Sequence, residues 1–202
     1  MDLSKFSLGL KALTVGNLLF TIITVEQNKQ AFKILAEKRI PIIMGFMVFE
    51  PYVTIEELIE NVRALEELEY YRYICESNLP ISLYPKVIPY YGTRLYDFYE
   101  KNNLLQNNEF VNGEVNEWYN YLLRWIKSVE QYYRELNISE SKLTSSERQT
   151  VEVFHKLDME YWIRSLEMVQ DGRIEECSSL IKQQVEKLKN EIMKEELTSM
   201  NI

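Results

Sequence analysis

The run Ile40-Pro-Ile-Ile-Met-Gly-Phe-Met-Val-Phe49 constrains this chain more than any other stretch. It is almost continuously apolar and does not alternate. A strand reads this way when helices cover both of its faces, as in a parallel sheet. Glu50-Pro51 ends the run, because proline has no N–H to give to a ladder. Thr54-Ile-Glu-Glu57 comes next as a capping box. Ile55, Leu58, Ile59, Val62, Leu65 and Leu68 then recur at helical spacing. Upstream, Thr24-Val-Glu-Gln27 is another capping box, and Ala31, Phe32, Ile34 and Leu35 supply an apolar face. A helix is expected from about Val25 to Lys38. Helix, buried strand, capped helix is the order of βα units, so an α/β fold is expected here.

The character changes along the chain. Leu79 to Pro85 reads as a short strand, and Pro80, Pro85 and Pro89 punctuate this region into irregular structure. Tyr91-Gly92-Thr93 is a turn before a short helix from Leu95 to Asn102. Beyond Asn112-Gly113 the pattern is helical throughout. Val115, Trp118, Leu122, Ile126 and Val129 mark one amphipathic helix. Val151, Phe154, Leu157, Tyr161, Trp162, Leu166 and Val169 mark a second, closed near Asp171-Gly172. Ile174, Cys177, Ile181, Val185, Leu188 and Ile192 mark a third.

Bulk properties exclude some functions. With 202 residues, 46% of them apolar, the chain can bury a core. A net charge of −8 argues against nucleic acid as a partner. Cys75 and Cys177 are the only cysteines and stand far apart, which suits a reduced, cytoplasmic protein. Leu13–Ile23 comes after Lys5 and Lys11, but Asn17 interrupts it and no small-x-small site lies beyond it, so no signal peptide is expected. No run reaches the roughly 18 apolar residues of a membrane span.

Three blocks carry a family resemblance. The first is Thr24-Val-Glu-Gln-Asn-Lys-Gln-Ala-Phe-Lys-Ile-Leu35. The second is Gly45-Phe-Met-Val-Phe-Glu-Pro51 with Thr54-Ile-Glu-Glu-Leu-Ile-Glu-Asn61 behind it. The third is Pro89-Tyr-Tyr-Gly-Thr-Arg-Leu-Tyr96, ending at Asn103-Leu-Leu105. In order and spacing they resemble the C-terminal part of radical SAM enzymes, in the subgroup that often carries a cobalamin-binding domain. Arg94 stands where that family usually has proline after Gly-Thr. The resemblance implies a partial (β/α) barrel fragment with few parallel strands over residues 1–110, and then a mainly α-helical C-terminal region over 111–202. It implies a [4Fe–4S] cluster and S-adenosylmethionine, with Phe49, Glu50 and Pro51 at the strand end that faces cofactor and substrate. The CxxxCxxC loop that holds such a cluster is absent, so this chain is expected to bind no cofactor alone. Two readings stand. The chain completes an enzyme with a separately encoded N-terminal half, or it is a non-catalytic helical protein that binds a partner or itself.

Other residues have plainer readings. Gly92-Thr93 reads as a turn with a hydroxyl cap, and Cys75 and Cys177 as small buried hydrophobes. His155, the only histidine, has no ligand or nucleophile near it in sequence, and reads as structural or surface. The stripe Trp118, Tyr119, Trp125, Tyr132, Tyr133 reads as core, with the helical tail expected either to pack over an otherwise exposed apolar sheet or to bind another chain.

Overall fold

The computed structural model describes residues 6–8, 25–38, 42–44, 48–70, 85–105, 109–136 and 144–200. In chain order these form β1 (Phe6–Leu8), α1 (Val25–Glu37), β2 (Ile42–Met44), α2 (Ile55–Glu67), α3 (Arg94–Lys101), α4 (Gly113–Glu135), α5 (Ser145–Gln170), a 3₁₀ turn (Ile174–Glu176) and α6 (Cys177–Met200). Helices take about three quarters of the described residues. The protein is therefore mainly α-helical, which corrects the expected α/β barrel fragment. Sheet among the described residues is confined to one parallel pair, Phe6–Leu8 against Ile42–Met44, and a single parallel bridge between Phe49 and Lys86. The physical reason lies in the apolar run itself. Continuous apolarity reports burial, and at Phe49 helices provide that burial instead of strand neighbours. The expected strand over Leu79–Pro85 lies, but for Pro85, outside the described residues, as do Thr24 and Cys75.

Helix ends obey the capping chemistry of the sequence. Thr54 Oγ1 accepts the Glu57 N–H at 3.2 Å, and the Glu57 carboxylate accepts the Thr54 N–H at 3.0 Å. Thr144 and Glu147 repeat the arrangement at α5. Thr93 caps α3, and the Asn112 side chain accepts the Glu114 and Val115 N–H groups at the start of α4. The α5 exit is a Schellman turn. Gly172, at φ +72°, donates to Val169, and Arg173 donates to Met168. Alanine at Thr54 is expected to cost about 1 kcal/mol in urea denaturation, since the reciprocal cap of α2 is lost.

α5 is the centre of the packing, touching α2, α4 and α6. α4 runs antiparallel to it. Trp118 Nε1 donates to Ser165 Oγ at 2.9 Å, and seven residues on Trp125 Nε1 donates to Asp158, seven residues back. α6 turns back along α5, with Cys177 beside Ser165 and Lys187 bonded to Glu160 at 2.6 Å. Arg63 on α2 pairs with Glu167 on α5 at 2.9 Å, and Lys29 on α1 with Glu67 on α2 at 3.2 Å. These pairs are exposed and each contributes under about 1 kcal/mol. One hydrophobic core runs through the molecule from Phe32 to Ile192.

Candidate functional site

The three residues expected at a cofactor-facing strand end have different fates. Phe49 is fully buried inside a ring of aromatics. Its centroid lies 5.7 Å from Phe110, 6.0 Å from Trp118, 4.9 Å from Tyr119 and 5.7 Å from Trp162. Its carbonyl accepts the Val87 N–H at 2.9 Å. The Pro51 carbonyl accepts the Val111 N–H at 2.8 Å. Both residues are thus occupied in joining the first half of the chain to the segments that lead into and form α4 and α5. Glu50 alone keeps a reactive side chain within reach of solvent. Burial pushes its carboxyl up, the Tyr52 N–H opposes this, and Glu57 adds to the rise. The Tyr99 phenol stands close enough to sense Glu50. Burial, then that carboxylate, pushes the phenol up.

A carboxyl and a phenol biased toward their neutral forms can pass a proton or hold a polar ligand. They do not by themselves make a catalytic centre. On the next strand-like segment Lys86 Nζ sits 4.1 Å from the centroid of the Phe110 ring and 4.8 Å from that of Tyr119. Desolvation pulls its pKa down and Glu109 partly restores it. An open cleft of about 610 Å³ runs between Lys86, Ile88, Glu109, Tyr119 and Leu123.

The residues with plainer readings have ordinary places. Gly92 takes φ +79° and Thr93 caps α3, so Gly92-Thr93 is a turn. Cys177 is buried, and burial pushes its thiol up to about 11, well away from a reactive thiolate. Trp118 and Trp125 are fully buried, and Tyr119, Tyr132 and Tyr133 pack against the core. His155 is also buried.

Trp125, Asp158 and Tyr161 form a buried polar group that the sequence did not announce. Trp125 Nε1 donates to one carboxylate oxygen and its ring stacks on Tyr161, with centroids 4.7 Å apart. Among the described residues, the other oxygen of Asp158, the Tyr161 hydroxyl, both ring nitrogens of His155 and the Gln184 amide nitrogen are buried without a hydrogen-bond partner. The available signal was spacing. Asp158 lies four residues after Phe154 and four before Trp162, inside the apolar stripe of α5.

These residues do not fit an iron–sulfur cluster. Among the described residues no three His, Cys, Asp or Glu side chains converge to hold a metal, and Cys177 is a buried thiol. No helix among them is long and apolar enough to cross a membrane.

Comparison with protein families, with curated proteins and with solved structures finds no match.

Proposed function

We propose that this chain is one part of a cytoplasmic radical SAM-type enzyme and has no activity alone. The cluster and S-adenosylmethionine would be held by a second polypeptide carrying the CxxxCxxC loop. One observation supports this reading: two successive parallel pairings, each bridged by a helix. β1 pairs with β2 across α1, and Phe49 pairs with Lys86 across α2. Of the paired residues Phe49 lies within the blocks that resemble the family, and the bridging helices α1 and α2 overlap the first two blocks in the same order. Glu50 would then be the residue this chain offers to the shared site.

The test is anaerobic co-expression with the polypeptide encoded immediately upstream. The expected result is a stable complex that contains iron and cleaves S-adenosylmethionine. In that complex Glu50→Gln lowers the rate without releasing iron. A complex free of iron, or no complex, overturns the reading.

A second reading is a non-catalytic binding protein. It is favoured by Ile88, Tyr90 and Tyr91, which are 73%, 78% and 88% exposed. Three large apolar side chains in four residues is an uncommon free surface. Sedimentation of the chain alone separates the readings, since self-association without any partner favours the second.

A further inference from the structure

His155 and Asp158 sit one turn apart on α5, the helix that α2, α4 and α6 all touch. They are 1% and 2% exposed. Among the described residues, both imidazole nitrogens and one carboxylate oxygen lack a hydrogen-bond partner. The two groups therefore do not bond to each other. The polar and titratable groups gathered around this turn come from several helices. α5 gives Tyr161. α4 gives Trp125, which bonds Asp158, while Tyr121 and Arg124 act on Tyr161. α6 gives Cys177, which also acts on Tyr161. Burial dominates the surroundings of both groups, opposed at Asp158 by the Trp125 N–H.

An isolated charge in such a place costs several kcal/mol, so a group held there gives up its charge. We propose that His155 and Asp158 enter the folded core as a neutral pair, so that folding moves one proton from imidazole to carboxyl with no net exchange with water.

The directions of titration agree. Burial alone pulls His155 from 6.5 down to about 3. Burial pushes Asp158 from 3.8 up to about 7, against the pull of the Trp125 N–H. For His155 the folded value is depressed. Its unfolded form takes the proton first, so stability is full above about 6.5 and falls as pH drops toward 3. For Asp158 the folded value is raised. Stability is full below about 3.8 and falls as pH climbs toward 7. Between these limits the slopes are opposite and equal, one proton each. The pair thereby makes the core indifferent to pH over a range where either group alone would make it sensitive.

Single variants unmask the two halves. Unfolding equilibria in urea are measured from pH 4 to 6.5. The wild type is expected to show no pH slope from this pair. Asp158→Asn loses about tenfold in the folding constant for each unit that pH falls. His155→Leu loses about tenfold for each unit that pH rises. Parallel slopes in all three proteins overturn the proposal. A second measurement needs no variant. His155 is the only histidine, so its ring signals in NMR are unambiguous. They are expected to stay those of neutral imidazole from pH 5 to 8. A titration near 6.5, or a persistent imidazolium paired with an ionised Asp158, overturns it equally.

Discussion

Alanine at Phe49 is expected to lower the unfolding free energy by about 3–5 kcal/mol, the range for emptying a buried aromatic site. That is a large share of the roughly 5–15 kcal/mol that holds a domain together. The loss has two parts. Truncating the side chain leaves a cavity bounded by Phe110, Trp118, Tyr119 and Trp162. It also removes aromatic pairs worth about 0.5–1.5 kcal/mol each beyond their area. Phe49→Leu, which keeps an apolar side chain there, should lose less. Urea denaturation monitored by tryptophan fluorescence reads both, since Trp118 and Trp162 line the site. A loss under about 1 kcal/mol for Phe49→Ala would mean that the first half of the chain is not anchored there.

Trp125→Ala carries the second large effect, again about 3–5 kcal/mol. Trp125 fills the space between α4 and α5, stacks on Tyr161 and donates the hydrogen bond that Asp158 accepts. Trp125→Phe separates these roles. It keeps a ring for the stack and removes the N–H, leaving a buried carboxyl without that donor, at a cost of about 1–3 kcal/mol. The N–H also favours the ionised carboxyl. Its loss therefore moves the Asp158 titration further up, so the loss of stability with rising pH continues to a higher pH. Equal losses in the two variants would show that packing contributes nothing beyond the hydrogen bond.

How much of this was legible depends on where each residue's neighbours lie. α2 could be read in full, because the Thr54–Glu57 box and the stripe from Ile55 to Leu65 are local in sequence. The entry of α3 and the exit of α5 were legible for the same reason, through Thr93 and Gly172. The strand was overread. Residues 40–49 report burial, and periodicity cannot say whether strands or helices supply it. At Phe49 the cover comes from Trp118 and Trp162, far downstream in sequence. Glu50 was legible as the acidic step after an apolar run, but Tyr99 beside it was not. Asp158 was hidden by its own helix. An aspartate within an apolar stripe looks like an ordinary surface residue until Trp125, from another helix, is placed against it.

The antiparallel order of α4, α5 and α6 bears on how the chain reaches this structure. Each helix packs on the next one in sequence, so the bundle closes through short connections and low contact order, which favours fast formation. The α2–α5 and Phe49 contacts span much longer loops and close later. Synthesis runs the opposite way. The ribosome releases Val48 and Phe49 well ahead of the helices that cover Phe49. During that interval the nascent chain displays the surface most prone to aggregation, and its yield depends on how quickly α4 and α5 emerge.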